Sequence, residues 1–233
     1  MVGGKQMEKE SEPKGYQIII SELQKMLANG ELKCGDKLPS ERNMTTLFHL
    51  SRTSVREALR AMEMIGIVEK RHGEGNYIVN NAESSLTDVL SIMLILNDGA
   101  LDEFMEFRKW IELGAVKSVI ASSSEEEILS LDEKLSAYAD SSSVHERTLK
   151  DIDFHKAIVC LSGNPFFISI FNAISALAVN HLETIIQRLT SNGKDSAKVD
   201  SIYQEHEMIL NAIKKRDYTM AERFLDYHIQ TFT

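Results

Sequence analysis

Four side chains in the C-terminal half of this sequence have the types and spacing to share one metal ion. Asp151 and His155 lie four residues apart and so face the same way on a helix. His206 falls on the apolar stripe Ile202, His206, Ile209, Ile213, and His228 on the stripe Ala221, Leu225, His228, Phe232. Each polar group therefore occupies the side that its helix should bury. A single buried histidine is usually a hydrogen-bonded core residue. Three of them and an aspartate, brought by three helices, would each carry a desolvation cost if they shared no partner. A divalent cation removes that cost by using the imidazole and carboxylate lone pairs directly.

A second constellation lies between residues 30 and 79 and suits DNA. Pro39, Ser40 and Glu41 make a helix start, with a hydroxyl cap and an early carboxylate for the orphan N–H groups. Ser51 opens another helix, whose first turns present Arg52, Thr53, Ser54 and Arg56. Guanidinium and hydroxyl groups at a helix N-terminus match phosphates and guanine edges. Val55, Ala58, Leu59 and Met62 recur at helical spacing on the opposite side and face a core. Ile67–Arg71 and Asn76–Val79, around His72-Gly73-Glu74-Gly75, read as two strands and a glycine-rich turn. Helix, turn, helix and hairpin predict a winged helix-turn-helix.

This head resembles the GntR family of bacterial transcription regulators. Leu38-Pro39-Ser40-Glu41-Arg42, Ser51-Arg52-x-x-Val55-Arg56-Glu57-Ala58-Leu59 and Gly73-x-Gly75-x-Tyr77-x-Val79 follow one another in the family's order and spacing. Three places depart: Cys34 stands for a common proline, Thr45-Thr46-Leu47 for a Leu-Ala pattern, and His49 for a turn glycine. The resemblance implies that Arg42, Arg52 and Arg56 meet DNA, with Ser51, Thr53 and Ser54 on phosphates or thymine methyls. His72 and Gly73 at the wing tip would reach the minor groove or the backbone.

A second resemblance covers the rest. Asp151-x-x-Phe154-His155, Glu205-His206-x-x-Ile209-x-x-Ala212-Ile213 and His228 look like the ligand-sensing FCD domain of the FadR-type GntR branch. In its metal-binding members an aspartate and three histidines hold a divalent ion. By resemblance, Asp151, His155, His206 and His228 would hold zinc, with nickel or manganese as alternatives. A small organic acid binds against the metal in many such domains, anchored by an arginine from an early helix. Arg108 matches that arginine; its other reading is a surface residue paired with Glu112 at i+4. His181 is open to two readings, pocket lining and core packing.

Size and charge are compatible with a regulator. The 233 residues suffice for two modest domains or one large one. The formal charge of −9 gives no sign of nucleic-acid binding, but its distribution is uneven. Residues 1–80 carry a net +1 and the remainder −10, so an acidic body follows a near-neutral head with its arginines concentrated on one helix. Two cysteines, Cys34 and Cys160, cannot build a disulfide framework, and Cys160 reads as a core residue. No secretory signal is visible. The apolar run Ser91–Asn97 is far too short for a membrane span, so a soluble, cytoplasmic protein without a membrane partner is expected.

The expected organisation is a loose arm over 1–13, a winged head over 14–79, a polar linker over 80–85 and a helical domain over 86–233. The fold class is mainly α: the winged head followed by an all-α bundle of about seven helices. The leading functional expectation is a homodimeric regulator that reads a palindromic operator in double-stranded DNA and answers to a small organic acid. A metalloenzyme would lack a convincing general base beside the metal set and leave the head without a role. A structural metal bundle with no effector is the third reading.

Overall fold

A computed structural model describes residues 13–98, 100–191 and 196–232, and the chain divides into two compact units between Ser85 and Leu86. Most of the arm expected over 1–13 lies outside the described residues.

The first unit is built from α1 (Gly15–Ala28), α2 (Glu41–Phe48), α3 (Arg52–Met64), β1 (Val68–Arg71) and β2 (Gly75–Ile78). Its helix starts are capped as their sequences dictate. The Ser40 hydroxyl accepts from Asn43 N–H, and the Ser51 hydroxyl accepts from Ser54 N–H. β1 and β2 pair antiparallel from Val68–Ile78 to Arg71–Gly75, making the wing. The periodic residues Val55, Ala58, Leu59 and Met62 of α3 are buried with Ile19 and Leu23 of α1 and Met44 of α2. Between α2 and α3, His49 takes the left-handed conformation, φ 54°, that a glycine would adopt without strain.

The second unit is helical. α4 (Ala82–Leu96) runs into it, followed by α5 (Leu101–Ser122), α6 (Glu125–Leu129) and α7 (Leu131–Ala139). Then come α8 (Val144–Leu161), α9 (Pro165–Ser191), α10 (Ser196–Lys214) and α11 (Tyr218–Gln230). α5 packs on α8, α9 and α11, and α10 packs on α11 and α7. Asn164 caps α9 by accepting from Phe166 and Phe167 N–H, and Asp217 caps α11 by accepting from Met220 N–H.

The structure adds three details to the sequence reading and corrects one expectation, the core placement of Cys160. The body has eight helices among the described residues, because the stretch after Ser124 breaks at Ser130. The Ser130 hydroxyl bonds back to the Glu127 carbonyl at 2.6 Å, an alternative to helical pairing that bends the chain. The polar tract read as a linker is mostly helix, since α4 opens at Ala82 and the Ser85 hydroxyl donates to the Met64 carbonyl. Cys160 is exposed, because α8 turns positions 151, 154, 155, 158 and 159 inward and leaves 160 outside. Finally, Pro165–Gln187 is apolar and long enough to cross a membrane by length and composition. It serves instead as a packing helix: Phe171, Ile174, Ala178, Leu182 and Ile186 are buried against neighbouring helices.

Candidate metal centre and nucleic-acid interface

α8 places Asp151 and His155 one turn apart, α10 supplies His206 and α11 supplies His228. All four are fully buried. One ligand atom from each lies within 4.8 Å of every other. The His155 Nε2 stands 3.0 Å from His228 Nε2 and 3.2 Å from His206 Nε2, and His206 Nε2 stands 3.1 Å from Asp151 Oδ1. Such separations suit nitrogens and oxygens sharing one ion at roughly 2.0–2.2 Å.

The outer nitrogens fix the tautomers of two rings. His155 Nδ1–H donates to Glu112 Oε2 at 2.6 Å, and His228 Nδ1–H donates to Glu205 Oε2 at 2.9 Å. The Glu112 carboxylate only accepts, so the proton of the neutral His155 ring is on Nδ1; ionised Glu205 does the same for His228, and the Nε2 lone pairs then face each other. Lone pairs 3.0 Å apart repel unless a cation lies among them. A proton is a poor candidate for that cation. Burial, then the neighbouring His206 and His155, holds the His228 imidazole well below its ordinary pKa. Burial also lowers His206, despite the pull of Asp151.

The carboxylates complete the electrostatics. Burial alone would raise Asp151, but the close approach of His206 Nε2 and the other two imidazoles outweigh it and hold the carboxyl well below its usual range. Burial pushes the Glu205 carboxyl up to about 7, with Asp151 adding to the rise and the Ser201 and Thr231 hydroxyls opposing it. Among the described residues, the carboxylates of Asp151 and Glu112, with Glu205 when ionised, share one buried cation, the guanidinium of Arg108. Both Asp151 oxygens lack a hydrogen-bond partner. Orphaned acceptors around excess negative charge are what a divalent cation satisfies, and the donor set fits one.

Arg108 is neither at the surface nor free. It is 1 % exposed, and its Nε donates to Glu112 Oε1 at 2.6 Å, so the i+4 pairing with Glu112 exists but is buried. Its Nη2 lies 3.7 Å from Asp151 Oδ2, and its guanidinium sits 5.6 Å from the Phe171 ring centre. Neither Nη1 nor Nη2 has a hydrogen-bond partner. His181 does not join this set. It lines a groove of about 520 Å³ with Leu101, Leu177 and Asn180, and its Nε2 bonds the Phe232 carbonyl at 3.0 Å. Sequence reasoning missed the roles of Glu112 and Glu205. Position i+4 from Arg108 signals the first, but each reaches its histidine only across a helix–helix contact.

In the head, Arg42, Ser51, Arg52, Thr53, Arg56, His72 and Gly73 are exposed, while Ser54 is half-buried. Ser51 and Ser54 are engaged with each other, Oγ to Oγ at 3.0 Å. Gly73 sits at the wing tip with φ 75°. On the wing, Arg71 stacks on the Tyr77 ring at 4.2 Å, and its Nε bonds Glu69 at 2.8 Å.

Comparison with known proteins agrees with both halves. Residues 15–78 match the gntR family of bacterial regulatory proteins, and residues 103–231 match the FCD domain. The HTH-type transcriptional regulator LutR of Bacillus subtilis is 30 % identical over 205 residues, covering 88 % of this chain and 93 % of that one. The HTH-type transcriptional repressor NanR of Salmonella typhimurium is 27 % identical over 221 residues, covering 92 % and 81 %. A solved structure described as Streptococcus agalactiae GntR superposes with a TM-score of 0.66 at 21 % identity, over 93 % of this chain and 97 % of that one, which shows a shared fold. A winged head followed by a helical FCD domain, with relatives of both kinds along its length, places this chain in the GntR family of bacterial transcription regulators, in its FadR-type branch.

Proposed function

We propose that this regulator holds a divalent metal with Asp151, His155, His206 and His228, and that a small organic acid bound beside it controls operator affinity. The convergence of four buried ligand atoms, with the two unpartnered Nη groups of Arg108 next to Asp151, carries the reading. Zinc fits a nitrogen-rich donor set, as do nickel and manganese to differing degrees. When bound, the ion would supply positive charge and coordination positions for an acid. Arg108 would offer its terminal N–H pair to the same carboxylate, while Glu112 fixes the guanidinium by its Nε.

Operator DNA would be read by Arg42, Arg52 and Arg56, with Ser51, Thr53 and Ser54 at the start of α3 and His72 and Gly73 on the wing. One winged head covers a short half-site, so a palindromic operator calls for a two-fold dimer. The surface of α4 supports this. It buries no residue, although it is among the most apolar helices of the chain, and Val89, Ile92, Met93, Ile95 and Leu96 are each more than half exposed. With Phe107, which lines a groove beside Met93 and Leu96, they form one contiguous apolar surface of the kind that marks a protein–protein contact. A second copy of the chain is the occupant that a two-fold operator requires, and the protein would act in the cytoplasm.

The test is direct. A duplex selected by the wild-type protein from a randomised pool is titrated by fluorescence anisotropy. Arg52→Ala and Arg56→Ala should each weaken binding by about 1–3 kcal/mol if they reach base edges. Unchanged affinity in the double variant would remove α3 as the recognition helix.

A further inference from the structure

Glu41 does more than open a helix. It stands at the first position of α2, yet its Oε2 reaches the Nε of Arg56 on α3 at 2.8 Å. The two residues are fifteen positions apart in the chain. Both side chains are partly exposed, 38 % for Glu41 and 60 % for Arg56. An ion pair that open to solvent contributes little to stability, so the helix start accounts for a carboxylate at this position but not for its reach to Arg56. The pair lines a polar groove with Arg60, Glu63, Lys70 and Asn76. Two further cations therefore border the groove, yet the carboxylate bonds the arginine on the exposed face of α3.

We infer that Glu41 is a positioning residue for Arg56 and sets its sequence specificity. This rests on the reading of Arg56 as a base-contacting residue. A guanidinium has five N–H donors in a fixed fork. Occupying the Nε–H leaves the terminal pair free, and that pair matches guanine O6 and N7. Holding the side chain by Nε reduces the rotamer freedom that a long arginine loses on binding a base. The carboxylate also offsets the arginine's charge, so the side chain gains less from any nearby phosphate. Both effects favour one base over DNA in general.

Full-length wild type, Glu41→Ala, Glu41→Gln and Arg56→Ala are each used to select duplexes from the same randomised pool, and the enriched sites are compared position by position. Arg56→Ala should relax one base position in each half-site. Glu41→Ala should relax that same position and no other, lowering discrimination there by about tenfold, a part of what one bidentate base contact gives. Its binding to an unrelated duplex should hold or rise, since a negative charge is removed near the phosphates. Glu41→Gln keeps an acceptor of the same reach and should retain most of the preference. A sharp position in Glu41→Ala, where Arg56→Ala has lost it, overturns the proposal and leaves Arg56 as a base contact. Equal loss at all positions, with a lowered melting temperature, also overturns it by making Glu41 a folding residue. If Arg56→Ala relaxes no position, the reading of Arg56 itself fails.

Discussion

His155 and His228 meet Nε2 to Nε2 at 3.0 Å, and the Nδ1 of each is tied to a different glutamate, Glu112 and Glu205. The two rings are nearly parallel, with centroids 4.9 Å apart. Each glutamate therefore orients one ring and fixes its proton on the far side, so both lone pairs aim at the same point. His206 is different, because its Nδ1 has no partner. The site is organised by carboxylates from α5 and α10 as much as by its four inner residues.

A graded loss of metal is expected from that arrangement. Purified protein should contain about one divalent ion per chain, and His206→Ala or His228→Ala should lose most of it. Glu205→Gln should keep the ion but bind it about 10–100-fold more weakly, because the His228 ring is less firmly set. Elemental analysis and competition with a chelator would measure both. Addition of metal should also raise the melting temperature, since the ion binds the folded chain preferentially. Stability indifferent to zinc, nickel and manganese would reduce the cluster to packed polar groups.

Disruption of the α4 surface should separate protomers without unfolding them. Ile95 and Leu96 are 73 % and 77 % exposed, so charge placed there disturbs no core of the single chain. Ile95→Glu with Leu96→Glu should shift the molar mass in light scattering from dimer to monomer, with helicity and metal content retained. A dimeric double variant would place the two-fold contact elsewhere. A monomeric wild type would sink the dimer itself.

The turn between α2 and α3 offers a stability test. His49 sits at φ 54°, where a side chain costs about 1–2 kcal/mol and glycine costs nothing sterically. Glycine gives back part of that through the entropy of the unfolded chain. His49→Gly should therefore stabilise the head by about 0.5–1 kcal/mol, raising its melting transition by a few degrees. A lower transition would mean that the imidazole contributes something beyond the turn.

The inner faces of the helices were legible in the sequence because a period of 3.6 is a strong signal. Ile202, His206, Ile209 and Ile213 on α10, Ala221, Leu225 and His228 on α11, and Phe232 just past its end are all buried. The pairing of Glu205 with His228 was not legible, since it depends on how α10 crosses α11 and not on either helix alone. Arg108 shows the same limit. Its i+4 partner is visible in the sequence, but its burial follows from the packing of α5 on α8 and α9. The misread segments have local causes. A hydroxyl bonding back at Ser130 leaves the apolar period intact while breaking the helix. On α4 the chain alone half-buries Leu86, Leu90 and Leu94, while Val89, Ile92, Met93, Ile95 and Leu96 stay exposed.

The acid proposed for the metal centre should act through Arg108 and be coupled to DNA. Hydroxy-, keto- and sugar acids can be screened by thermal shift on the metal-loaded protein, and hits titrated into the operator-binding assay. Arg108→Ala leaves Glu112 and Asp151 without their buried cation and risks unfolding, so Arg108→Lys is the sharper variant. It keeps the charge but loses the planar fork, and should weaken acid binding while the metal stays in place. Linkage fixes the sign of the rest. An acid that loosens operator binding by some factor must bind the DNA-bound protein more weakly by the same factor. Measuring acid affinity with and without the selected duplex checks that equality. Equal shifts in wild type and Arg108→Lys would remove Arg108 from the acid site. Acids that bind but never alter operator affinity would leave a metal that only holds the bundle together.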